Sequence, residues 1–232
     1  MENEIFFKPF IGTKYENPNN NIFDGKRLLI VGHNHDCAEP NEDPRIVCRN
    51  RCNKEKCKNM TKDVIEDWKK YKEGIKVNFD KEYIRSLKVF TTFSNCLSGY
   101  KLPPSPVMNN IGFYNFIQSA VQDKTLPLQN EIRNQVKESQ EAFLQLISDS
   151  EFTPDYIICW SVANVFDKLP RTNRTQPVYY KTTFGKRKYK YGVCYYNVNN
   201  KKIPVLGIQH PSQGFNCECY HKLITSFMNQ DK

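Results

Sequence analysis

Apolar residues along this chain gather into short continuous runs divided by polar, turn-forming stretches. Leu28 to Val31, Tyr156 to Trp160 and Ile203 to Ile208 are each too short for a globular helix and rich in β-branched or aromatic residues, so they read as strands buried on both faces. A fourth candidate, Ile111 to Gln118, is longer, aromatic, and carries Asn115 in its middle. The period changes in "LQNEIRNQVKESQEAFLQLISD", where Ile132, Val136, Phe143 and Ile147 recur on one face at helical spacing and Pro154 bars continuation. A second helix is predicted over Lys62 to Tyr71, with Val64, Ile65 and Trp68 on its apolar side. Strands alternating with helices predict an α/β fold of three layers (αβα) around a central, mostly parallel four-stranded sheet.

Two segments depart from that pattern. Residues 37–60 are polar and rich in Cys, Asn, Arg and Lys, and predict a long loop leaving the first strand. Residues 177–200 alternate aromatic and basic side chains around Gly185 and predict an inserted β-hairpin. The "NPNNN" stretch, Asn17 to Asn21, reads as a flexible approach to the first strand. The whole of 1–232 is expected to form one domain with these two insertions.

Composition narrows the class. Hydrophobic content of 39% and a mean hydropathy of -0.68, with no apolar run near the roughly 20 residues that span a bilayer, predict no membrane partner. An acidic start without a long apolar segment predicts a cytoplasmic protein. A formal charge of +9, from 34 Lys and Arg against 25 Asp and Glu, suits a polyanionic partner such as DNA. Nine cysteines, an odd count, suggest free thiols or metal ligands rather than disulfides in that compartment. Cys48, Cys52 and Cys57, with Cys37 as a fourth, offer thiolates for a structural zinc; reduced surface thiols are the alternative.

The chemistry-bearing residues sit where strands end. "RLLIVGHNHDC" runs from a buried strand through Gly32 into His33, Asn34, His35, Asp36 and Cys37, and "IPVLGIQHPSQGFN" runs from another into His210, Pro211, Ser212 and Phe215. Two parallel strands finishing in polar loops place those loops on one edge of the sheet, where open α/β sheets bind ligands. A pocket between them would hold His33, Asn34, His35, Asp36 and His210; ordinary hydrogen-bonded surface histidines are the alternative.

As an ordered set these segments resemble the uracil-DNA glycosylase superfamily. "LLIVGHNHDC" is similar to its first motif of apolar strand, Gly and short polar loop, "FYNFIQ" to its middle strand with an asparagine, and "PDYIICWSVANVF" to its apolar strand followed by Gly and A-x-x-x-L. "GIQHPSQGF" is similar to its closing H-P-S motif. The resemblance implies that Asn34 positions a water, Asn115 reads the edge of the base, and His210 donates to an oxygen of the departing base. It implies a wedge role for Phe215 and places Gly32, His33 and Ser212 around the substrate. No proline follows Asn34, His33 and His35 depart from the pattern, and the carboxylate Asp36 comes two positions late. Asp36 or His35 would then take the proton from water or balance charge on the sugar.

The expected activity is that of a monofunctional DNA glycosylase, working as a monomer with no cofactor required, on a modified or non-standard base bulkier than uracil. A hypermodified base of foreign or phage DNA fits the changed first motif. Phe113 or Tyr114 would stack on the base, with core packing as the alternative. Lys186, Arg187, Lys188 and Lys190, with Lys181, would meet DNA phosphates; a solvated hairpin with cross-strand aromatic pairs is the alternative. Two rival functions are a non-catalytic DNA-binding relative of the same fold and a metal-binding interaction protein organised by the cysteine loop.

Overall fold

Successive residues of Leu28–Gly32 enter different apolar clusters, and that alternation sets the architecture. In this computed structural model, which describes residues 5, 7–33, 35–36, 58–75, 87–118, 120–121, 129–212 and 214–229, Leu28 and Ile30 join one buried cluster with Ile111, Phe113, Ile158, Leu206 and Ile208. Leu29 and Val31 join another with Tyr114, Ile157, Cys159 and Val205. A sheet apolar on both faces needs a helical layer on each.

Along the chain the elements are β1 (Phe10–Ile11), α1 (Thr13–Glu16), β2 (Leu28–Gly32), β3 (His35–Asp36), α2 (Met60–Lys72), α3 (Lys88–Ser98), α4 (Pro104–Met108), β4 (Ile111–Asn115) and β5 (Ala120–Val121). There follow α5 (Gln129–Ser148), β6 (Tyr156–Trp160), β7 (Val178–Phe184), β8 (Arg187–Val198), β9 (Lys201–Ile208) and α6 (Cys217–Met228). Helices α2, α3 and α6 cover the first cluster with Ile65, Trp68, Phe90, Phe93, Tyr220 and Ile224. Helix α5 covers the second with Phe143, Leu146 and Ile147, beside Phe166 of a 3-10 turn.

The main sheet has seven strands in the order β1-β4-β2-β6-β9-β8-β7, which corrects the expected four. The four anticipated strands are its parallel centre, β4-β2-β6-β9. Strand β1 adds antiparallel at one edge. At the other, β8 pairs antiparallel with β9 from Gly192↔Gly207 to Val198↔Lys201, so the hairpin is part of the sheet rather than an appendage. The reason lies in its apolar content on both parities: Cys194, Tyr196 and Val198 bury in one cluster, while Tyr189 buries in the other with Tyr191 and Val193 packed against it. The cross-strand pair Gly192 and Gly207 leaves a seat for the Phe166 ring, since a Cβ at Gly207 would lie 2.5 Å from Phe166 Cγ and one at Gly192 would overlap Phe166 Cε1.

Other expectations shift in detail. Strand β4 ends at Asn115, so the asparagine is terminal and not mid-strand; Gln118 folds back, its Nε2 donating to the Asn115 carbonyl at 2.8 Å. The "NPNNN" stretch is an ordered 3-10 turn, Pro18–Asn20, after which Asn21 Oδ1 accepts from the backbone N–H groups of Phe23 and Gly25. Helix α2 starts at Met60, the last residue assigned to the loop. Helices α3 and α6 were not anticipated. The first buries Phe90, Phe93 and Leu97 at helical spacing and stops where Gly99 turns left-handed at φ 58°. The second is capped by Asn216, whose side chain accepts from the Cys219 N–H at 2.9 Å. No helix among the described residues is long and apolar enough to cross a membrane.

Candidate functional site

The register aligns the carboxyl ends of the parallel strands. Gly32 lies opposite Asn115 on β4, and Val31 opposite Cys159 on β6, so Gly32 and Trp160 share a level. Trp160 in turn lies opposite Ile208 of β9. At that level Gly32 has a clear purpose. A Cβ there would overlap Asn115 Oδ1 and lie 2.8 Å from Phe113 Cζ, so the missing side chain is what lets the Asn115 amide lie close over the β2 backbone. Asn115 is 7% exposed.

Pairing continues past the strand ends. The Phe116 N–H donates to the Gly32 carbonyl at 3.0 Å and the Ile117 N–H to the His33 carbonyl at 2.8 Å, which holds His33 half-buried beside β4. Beyond β9, the Gln209 N–H donates to the Tyr220 hydroxyl at 3.3 Å, and the His210 ring meets Trp160 edge-on, 5.8 Å between centroids at 82°. The Ser212 N–H donates to the His210 carbonyl at 2.7 Å, closing a three-residue turn around the buried Pro211, whose fixed φ suits it. Burial holds the His210 ring below its usual midpoint, and the charge of His33 lowers it further. The two histidines from opposite ends of the chain are therefore electrostatic neighbours. A neutral imidazole keeps one N–H donor and one acceptor nitrogen.

Sequence reasoning overlooked Trp160 and Ser161. Trp160 is 2% exposed, its ring packed by Phe90, Phe93 and Phe113, and its indole N–H is buried without a hydrogen-bond partner among the described residues. Ser161 adopts φ 85°, a left-handed backbone costly for any residue but glycine, while its N–H donates to the Ile208 carbonyl at 2.9 Å. In the sequence they only close the apolar run "YIICW", where an aromatic looks like core; the register is what sets Trp160 level with Gly32.

The remaining expected site residues fall as follows. Asn34 lies outside the described residues. His35 and Asp36 form β3, which pairs in parallel with Ala120–Val121 in a separate two-stranded sheet, so the chain leaves the main sheet directly after His33. Ser212 is exposed, and Phe215 is half-buried and stacked on Tyr220 at 4.5 Å and 11°. Phe113 and Tyr114 are both core residues, on opposite faces of β4. Lys186, Arg187, Lys188 and Lys190 are exposed at the hairpin tip. Cys37, Cys48, Cys52 and Cys57 lie outside the described residues, and among the described ones no group of three or more His, Cys, Asp or Glu side chains is arranged to hold a metal ion. Cys217 and Cys219 sit in the first turn of α6, the Cys217 thiol donating to the Thr92 carbonyl at 3.3 Å. Comparison of the chain with protein-family models, curated proteins and solved structures returned no match.

Proposed function

We propose that the chain is a divergent relative of the uracil-DNA glycosylase superfamily that flips a modified or non-standard base out of DNA and hydrolyses its N-glycosidic bond. The observation that carries this reading is that Asn115, His33 and His210, far apart in sequence, all stand at the carboxyl ends of parallel strands of one sheet, β4, β2 and β9, with only β6 between the last two. Breaking the glycosidic bond builds positive charge on the sugar and negative charge on the base, as in oxocarbenium-like glycoside hydrolysis. A neutral His210 supplies an N–H for the base anion without bringing a full charge into a half-buried site. A preorganised donor of this kind contributes about 3 to 4 kcal/mol to the transition state. The Asn115 amide, with a donor and an acceptor side by side, suits a base edge. By the resemblance, Asn34 holds the attacking water, and Asp36 or His35 takes its proton or balances the sugar. No metal is needed for these steps, and the base class follows from the departures in the first motif.

The test uses duplexes and single strands carrying uracil, hypoxanthine or phage-type modified cytosines, followed by alkaline cleavage at abasic sites. Breaks that vanish in His210→Ala and Asn115→Ala support the glycosylase. The exposed hairpin cations favour a second reading, a non-catalytic DNA reader, since they need no chemistry. Retained DNA binding with no breaks on any substrate selects it.

A further inference from the structure

The hairpin overhangs the candidate site. Gly207 is the last β9 residue paired with β8, at Gly192, yet β8 begins at Arg187 and pairs with β7 out to Phe184↔Arg187. The residues Arg187 to Tyr191 therefore run past the end of that pairing, about 15 Å of two-stranded ribbon at strand rise. Because β8 is antiparallel to β9, this overhang lies at the carboxyl edge of the parallel strands. Counted along the register, Lys190 stands level with Gln209, and Lys188 just beyond the level of His210. At about 4.8 Å per strand, β8 is one step from the strand leading to His210 and about 14 Å from the one leading to His33.

The two faces of the ribbon differ. On one, Tyr189 packs edge-on against Tyr220 of α6 and Phe184 lies under Lys222, so this face is fastened to the protein. On the other, Lys181 and Lys190 are direct cross-strand partners and Lys188 lies two residues on from Lys190. Like charges opposite one another are unfavourable. All three are exposed, and none has an ion-pair partner among the described residues. The Lys190 ammonium rests 4.5 Å from the Tyr179 ring, and Tyr179 is anchored by its hydroxyl donating to Asp167 at 2.6 Å. The Gly185–Lys186 tip is a tight two-residue turn with Gly185 at φ 59°.

The geometry points to a fixed grip for the sugar-phosphate backbone of one DNA strand, made by Lys181, Lys188 and Lys190, next to the base site. A ribbon with one face fastened to a helix cannot enter a DNA groove, so it presents only a flat cationic face. Alternate residues on a strand are about 7 Å apart, comparable with neighbouring phosphates along one strand. Arg187, on the fastened face, is not part of the grip. This deepens the glycosylase reading by naming how the substrate strand is held, and it rests on that reading only for the role of the neighbouring site.

The experiment measures fluorescence anisotropy of labelled single strands of about 20 nucleotides and several sequences, titrated with the whole protein across a salt series. The proteins are wild type, Lys181→Gln/Lys188→Gln/Lys190→Gln, and Arg187→Gln. Loss of three phosphate contacts should reduce the salt slope by about 2 and weaken binding by about 100-fold at ~0.1 M salt, equally for every sequence. Arg187→Gln should change the slope little. The triple variant should melt within a few degrees of wild type, because relief of like-charge repulsion offsets loss of the Lys190–Tyr179 contact, so a melt separates lost binding from lost folding. An unchanged slope and affinity in the folded triple variant overturns the grip, as does loss confined to one sequence or equal displacement of DNA by polyglutamate. Abasic-site formation, scored separately, distinguishes the two claims: binding that behaves as expected without abasic sites refutes the glycosylase and leaves the grip standing.

Discussion

Replacing Gly32 by alanine adds a methyl group that overlaps Asn115 Oδ1 and lies 2.8 Å from Phe113 Cζ. Both neighbours are closely packed, with Asn115 7% and Phe113 3% exposed, so neither has free space to retreat into. Overfilling a packed site in this way costs about 1 to 3 kcal/mol. For a chain of this length about 2 kcal/mol lowers the melting temperature by roughly 4 to 8 °C. The effect on function should be larger than this loss implies, because a displacement of about 1 Å in a substrate-positioning group costs on the order of 100-fold in rate. The double variant Gly32→Ala/Asn115→Ala separates the two contacts. Removing Oδ1 relieves one overlap and leaves Phe113, so the two substitutions should couple by about 1 kcal/mol, the double variant being more stable than the sum of singles. Thermal melts and single-turnover abasic-site formation give both readouts. A Gly32→Ala protein that melts and reacts like wild type, or strict additivity in the double variant, would refute the assigned purpose of Gly32.

Other residues give independent tests. The folded state holds His210 below the ordinary imidazole midpoint of 6.5, so as pH falls the unfolded chain takes up that proton first. Its contribution to stability is unperturbed above 6.5, declines below it and levels off once the folded midpoint is passed. An NMR titration should place the His210 midpoint under 6.5 and move it up, but not fully back, in His33→Gln; no movement in that variant would separate the two rings. Trp160→Phe keeps a packed ring and removes an indole N–H that has no partner among the described residues, so it should cost under about 1 kcal/mol in denaturant melts, whereas Trp160→Ala should cost about 3 to 5 kcal/mol. Gly207→Ala drives a methyl into the Phe166 ring and should destabilise by about 1 to 3 kcal/mol without altering base release, since the contact lies on the α5 face. Equal melting of Gly207→Ala and wild type would show that Phe166 is not seated as described.

The parallel centre of the sheet was legible because Leu28–Val31, Tyr156–Trp160 and Ile203–Ile208 are apolar on both parities, and only a doubly covered strand suits such a run. The hairpin was legible from Gly185 and its alternation, but not its union with the sheet, since nothing local marks β9 as the partner of β8. Helix α3 was hidden by β-branched residues and Ser, Asn and Cys within "KVFTTFSNCLS", which propensity does not favour and tertiary packing overrides. In the site, glycine after a buried strand and histidine after another were readable as motifs. Trp160 was not, because an aromatic ending an apolar strand looks like core, and it is core as well as a neighbour of His210.

The central claim is release of a base by a site that includes His210. Its most direct test is mass spectrometry of the small-molecule fraction after incubating wild type and His210→Ala with DNA carrying each candidate base. Free base should appear with wild type and fall by about 100- to 1000-fold with His210→Ala, the loss expected for one transition-state donor. No free base from any substrate, or equal release by both proteins, would contradict it.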